Sequence, residues 1–161
     1  SVFAKEKGLS NIYIGYLYTI NGLSVVFFQI LFTKFSEKLG IKRALLTGIF
    51  FYILGYFLFS FAKNFIEFAI FVFIFTSGEM LTLPLITTVV TIYAKEEKKS
   101  LYIGFLGLFE GLGWASAPVY GGFFLDLFIK TPLIMWGIIV IPGIISFIIL
   151  LKFLNYEKLA K

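Results

Sequence analysis

The chain contains no cysteine and no histidine. Without thiols there is no disulfide framework, thiolate metal site or cysteine nucleophile. Without imidazole, the side chain that most readily exchanges a proton near neutral pH is missing too. Charge is also scarce, at 14% of the 161 residues, where soluble domains average about 25%. A chain so poor in charge cannot cover a soluble surface. Its 22 phenylalanines and nine tyrosines exclude a disordered polymer. The alternating ten-residue pattern of membrane β-strands is absent. No nucleotide-binding loop, paired metal ligands or nucleophile triad can be assembled, so neither enzyme activity nor a cofactor is expected. Any driving energy would come from an ion or solute gradient, with a proton gradient preferred.

What fills the sequence is long apolar runs. Between Lys7 and Lys34 lie 26 uncharged residues, between Arg43 and Lys63 another 19, and 131–151 supplies 21 more. Only Glu79 interrupts 69–94, and only Glu110 interrupts 101–125. A membrane-spanning helix needs about 20 such residues. The expected fold is therefore an all-α integral membrane protein with five transmembrane helices, at Asn11–Thr33, Ala44–Phe61, Phe65–Tyr93, Leu101–Leu125 and Pro132–Leu151. Its first partner is the lipid bilayer.

The basic residues alternate between loops. Lys34, Lys38, Lys42 and Arg43 follow the first run, Lys95, Lys98 and Lys99 the third, and Lys152, Lys158 and Lys161 the fifth, giving ten of the 14. Lysine and arginine accumulate in short cytoplasmic loops, which places the C-terminus of this multi-pass cell-membrane protein in the cytoplasm. The clusters are too small and too separated for a nucleic-acid surface, which needs a continuous basic face with stacking aromatics.

Glu79 and Glu110 sit mid-span, where an acid costs about 2.5–3.5 kcal/mol on insertion scales and so faces a cavity or a partner. Both are candidates for proton coupling or transport, with permanent structural hydrogen bonding as the alternative for each. Asn21 and Gln29 offer neutral polar contacts, either to a pathway or between helices. Trp114 stands either against a substrate or in packing. Gly113, Gly121, Gly122 and Pro118 favour a bend or a close helix contact in the fourth span, since Pro118 cannot donate to the carbonyl of Trp114. Gly78 and Pro84 loosen the third span around Glu79. Glu37, Lys38, Lys42 and Arg43 form either a charge latch that biases conformation or a solvated loop.

The first basic loop, Thr33-Lys34-Phe35-Ser36-Glu37-Lys38-Leu39-Gly40-Ile41-Lys42-Arg43, resembles a loop signature of the major facilitator superfamily. Glu37 and Lys38 match its acid–base pair, Gly40 its second glycine, and Lys42 and Arg43 its basic end. Thr33 stands where a glycine is usual. Gly104, Gly113, Ala117, Pro118, Gly121 and Gly122 resemble the glycine–proline pattern of drug antiporters, with Ala117 replacing one glycine. Gly78-Glu79-Met80-Leu81-Thr82-Leu83-Pro84 and the pair Asn21-Gly22 with Gln29 are similar to the C-terminal half of multidrug-type facilitators.

The resemblance implies one membrane domain over residues 1–161, part of a C-terminal transporter half with helices numbered 8 to 12. Because Ser1 is not an initiator methionine, the expected partners include a missing N-terminal half, a further helix and a small-molecule substrate. The implied function is proton-coupled export of small amphipathic solutes or drugs by alternating access. Uptake of a sugar, peptide or organic anion is the alternative, and a non-transporting membrane assembly protein the other class.

Overall fold

In the computed structural model, which describes residues 2–153, helices account for nearly all of the chain. They are α1 (Val2–Glu6), α2 (Asn11–Leu39), α3 (Ile41–Leu58), α4 (Phe65–Tyr93), α5 (Lys99–Phe128), α6 (Pro132–Ile139) and α7 (Ile141–Phe153). Short 3-10 turns at Phe59–Phe61 and Glu96–Lys98 close α3 and open α5. The tail residues Lys158 and Lys161, placed in the cytoplasm by their charge, lie outside the described residues.

Each junction has a local cause. Gly40 ends α2 with φ 76°, and its N–H donates to the carbonyl of Ser36. That left-handed conformation is open to glycine at little cost. Asn64 starts α4 by accepting the Glu67 N–H at 3.0 Å, while the Glu67 carboxylate accepts the Lys63 N–H at 2.6 Å. This reciprocal cap satisfies the Glu67 amide in the first turn of the helix and the Lys63 amide just before it. At the other end of the bundle, Lys42 Nζ donates to the carbonyl of Leu151 at 3.2 Å, joining the start of α3 to the end of α7. A cation suits the negative end of the α7 dipole.

The closest helix pair is α3 with α4, and glycine is the reason. A Cβ on Gly78 would lie 2.6 Å from the carbonyl oxygen of Gly48, and one on Gly55 would lie 2.7 Å from Cβ of Phe75. Backbones approach this closely only where side chains are missing. Around this seam, Phe3, Leu17, Phe68, Val72 and Met135 form a buried cluster, so α1 is packed into the bundle despite its five residues.

Among the described residues, four helical segments are long and apolar enough to cross a membrane: Asn11–Leu39, Ile41–Phe61, Phe65–Tyr93 and Pro132–Lys152. Five were expected, and the fifth, in α5, falls short by apolarity and not by length. The anticipated span at Leu101–Leu125 does form a helix, and α5 at 30 residues is long enough. Its apolarity falls short because six glycines, Ser116, Pro118, Glu110 and Asp126 dilute the run. No residue of α5 is buried.

The last span is also not the unbroken rod that the sequence implies. Pro142 has no N–H for the carbonyl of Ile138, and the helix divides at Val140 between α6 and α7. The released Ile138 carbonyl accepts the Tyr120 hydroxyl from α5 at 3.1 Å. The same solution appears in α4. Pro84 cannot serve the carbonyl of Met80, and Gln29 Nε2 of α2 donates to it at 3.1 Å. In hydrocarbon an unsatisfied carbonyl is costly, so a side chain from a neighbouring helix takes the missing donor's place.

Candidate functional site

Half-buried in the wall of α4, Glu79 is held by Asn21 of α2. Asn21 Nδ2 donates to Glu79 Oε2 at 3.1 Å and to Thr76 Oγ1 at 2.8 Å. The reversed amide would set oxygen against carboxylate oxygen, so the charge of Glu79 dictates the orientation. Thr76 in turn donates to the carbonyl of Val72 at 2.7 Å. Residues 76 and 79 share a helix face because they are three apart, which lets one amide grip both.

On the α3 side stand Tyr52 and Tyr56, close enough for the Glu79 charge to act on both hydroxyls. Tyr52 hydrogen-bonds the side chain of Thr82, whose hydroxyl donates back to the carbonyl of Gly78. Among the described residues no lysine or arginine pairs with Glu79; Lys99 pairs with Glu96 at 2.6 Å, near the start of α5.

Glu79 and Asn21 open onto a cavity of about 410 Å³, lined by aromatic side chains from six helices. Trp114 reaches it from α5, Trp136 from α6 and Phe3 from α1. Trp136 is wedged among rings, at 5.3 Å from Phe59, 5.5 Å from Phe3 and 6.1 Å from Tyr56 between centroids. Among the described residues its buried Nε1 has no acceptor.

The structure therefore brings together Asn21, Glu79 and Trp114 and separates the remaining candidates from them. Gln29 lies two turns beyond Asn21 along α2 and serves the Met80 carbonyl. Glu110 is exposed on α5, one turn from Trp114, and does not line the cavity. Gly78 is sealed against α3, whereas a Cβ added at Gly104, Gly113, Gly121 or Gly122 would meet nothing within 4 Å among the described residues. Ala117 and Pro118 are exposed beside them. Glu37 and Lys38 are exposed at the end of α2 and form no ion pair among the described residues; Gly40 turns the chain, and Lys42 and Arg43 open α3. Tyr52, Tyr56 and Trp136 were not singled out by sequence reasoning. Tyrosines four apart, at 52 and 56, are the one signal that pointed to a shared helix face.

Against known families, the family description "Major Facilitator Superfamily" matches residues 1–161, the whole chain. The chain belongs to the Major Facilitator Superfamily. It is also similar to YttB of Bacillus subtilis (strain 168), described as an uncharacterized MFS-type transporter. The two are 29% identical over 128 residues, 77% of this chain and 32% of that protein. The chain thus spans about a third of the length of the curated relative it matches. As a facilitator-family chain with four apolar spanning helices, it is a multi-pass membrane protein.

Proposed function

We propose that this chain is part of a secondary active transporter that exports small amphipathic solutes by proton-coupled alternating access, with Glu79 carrying the proton. The observation that supports this most directly is the Asn21–Glu79 contact on the wall of an aromatic cavity. A carboxylate on a cavity wall with no cationic partner among the described residues is free to exchange its proton with whichever aqueous side the cavity meets. Taking up the proton removes the charge before the cavity closes, which avoids most of the cost of burying an ion. The Asn21 bond is charge-assisted only while Glu79 is ionised, so protonation also loosens the tie between α2 and α4.

In this reading the helices correspond to 8 through 12 of a twelve-helix transporter, with the C-terminus in the cytoplasm. Helix α5 crosses the membrane as a fifth span, and its open glycine face packs against the missing half. Two such halves move against each other around a central site. The test is transport by the intact protein in sealed vesicles under an imposed pH gradient. Accumulation that depends on the gradient and is lost in Glu79→Gln supports the reading; accumulation indifferent to the gradient refutes proton coupling.

A further inference from the structure

The two pieces of the last span are attached in different ways. α7 is fixed to α3. A Cβ on Gly143 would lie 3.0 Å from Cγ1 of Ile53, and Lys42 Nζ holds the carbonyl of Leu151 at 3.2 Å. Missing side chains let helix backbones lock together in this way. On α6 the glycine is open instead, since a Cβ at Gly137 would meet nothing within 4 Å among the described residues. α6 rests on ring faces. Trp136 stacks on Tyr56 at 6.1 Å with 22° between the planes, and meets Phe59 at 5.3 Å. Apolar contact is non-directional and lets rings slide. Direction comes from the Tyr120 hydroxyl, which reaches across from α5 to the Ile138 carbonyl at 3.1 Å.

Between the pieces, Val140 has φ −83° and ψ −8°, in the sparsely populated bridge region. Its N–H closes the last turn of α6 on the Trp136 carbonyl at 3.1 Å, and its own carbonyl accepts the Ile144 N–H of α7 at 3.0 Å. A single residue thus joins the two rods, and Pro142 withholds the N–H that would brace them. Element-terminal residues placed like this absorb the backbone rotation of a hinge. The packing of α6 also carries a cost. The buried Trp136 Nε1 has no acceptor among the described residues, which disfavours the closed arrangement, whereas water in an opened cavity would satisfy it. We propose that α6 is a hinged gate on the cavity, pivoting at Val140 while α7 stays on α3. The Tyr120–Ile138 hydrogen bond latches it shut. Its swing withdraws Trp136 from the wall and opens the cavity at the end that carries Lys63 and Lys130. What passes the gate rests on the transport reading above; the hinge itself does not.

The test follows the indole of Trp136 by fluorine resonance in the intact protein, labelled with fluorotryptophan and held in nanodiscs. Loss of its signal in Trp136→Phe assigns it. Broadening by a soluble gadolinium chelate then reads how far the ring opens to water. Tyr120→Phe is expected to raise that broadening about fivefold, the population ratio that an interhelical hydrogen bond of about 1 kcal/mol supplies. Pro142→Ala returns an N–H to the Ile138 carbonyl and braces the span. It is expected to lower the broadening below that of the unaltered protein, and to cancel the effect of Tyr120→Phe when the two are combined. General loosening would raise it in both variants. Broadening unchanged in either variant, or raised in both, overturns the proposal. Should Pro142→Ala fail to fold, Tyr120→Phe alone decides, and a rise shared by the Trp114 resonance would then overturn it. Flux separates this inference from the transport reading. Gradient-driven flux with a Trp136 ring that neither variant moves defeats the gate alone. The expected opposite shifts without flux of any solute defeat the transport reading alone.

Discussion

Gln29 on α2 donates its side-chain amide to the carbonyl of Met80 on α4, the carbonyl that Pro84 leaves without its own helical donor. Tyr120 and Ile138 repeat the relationship opposite Pro142. A proline inside a membrane helix frees one acceptor, and in hydrocarbon no water takes it up. In both helices the cost is offset by a side chain from another helix, so the bend and the contact specify each other.

The Gln29–Met80 contact predicts a non-additive pair. Gln29→Leu should destabilise the bundle by about 1 kcal/mol, the usual size of an interhelical hydrogen bond in a membrane. In a Pro84→Ala background the restored N–H serves Met80 instead, and the same substitution should cost close to nothing. A double-mutant cycle on reversible unfolding in micelles measures the difference. Equal losses in both backgrounds would show that Gln29 acts elsewhere.

Glycines that look alike in the sequence should behave differently. Gly78→Ala drives a Cβ to 2.6 Å from the Gly48 oxygen, and overpacking of this kind costs about 1–3 kcal/mol. Gly104→Ala meets nothing within 4 Å and should be neutral or slightly stabilising, because alanine is the better helix former. Thermal unfolding of the two variants side by side checks this. A larger loss at Gly104 would mean that the seam between α3 and α4 is not where the backbones are closest.

Orientation follows from the basic loops and is testable without altering any native thiol, since there is none. Single cysteines replacing Lys38 and Lys98 should resist an impermeant reagent in intact cells, while those replacing Lys63 and Lys130 should react. Equal labelling at positions 38 and 63 would contradict the arrangement.

Much of this was legible because lipid is a simple solvent. It demands about 20 apolar residues per crossing, and Phe65–Tyr93, bounded by a polar turn and a basic loop, was readable to the residue. α5 was harder, since a run containing one acid reads as a span until its six glycines are weighed. The break at Val140 was overlooked although Pro142 was in plain view, because Pro84 and Pro118 sit inside helices that run on through them, and sequence alone does not tell a bridged proline from a break. The close approach of α3 and α4 was not legible at all. Gly48, Gly55 and Gly78 are special only in the register that brings them together, and register is a property of the pair. Likewise Glu79 and Glu110 looked much alike along the chain, with only the neighbouring Gly78 and Pro84 to favour Glu79. What separates them is Asn21, 58 residues away in sequence and 3.1 Å away in space.

That separation makes proton coupling through Glu79 the central claim. Glu79→Gln keeps the volume and the hydrogen bond to Asn21 but cannot cycle a proton. The decisive measurement is pH-gradient-driven solute flux, with solute binding against pH, for the intact protein in proteoliposomes carrying Glu79→Gln, Glu110→Gln or both. Glu79→Gln should abolish gradient-driven accumulation and flatten the pH dependence of binding, while Glu110→Gln keeps both. Undiminished flux and unchanged pH dependence in Glu79→Gln would contradict the claim and leave its bond to Asn21 a structural one.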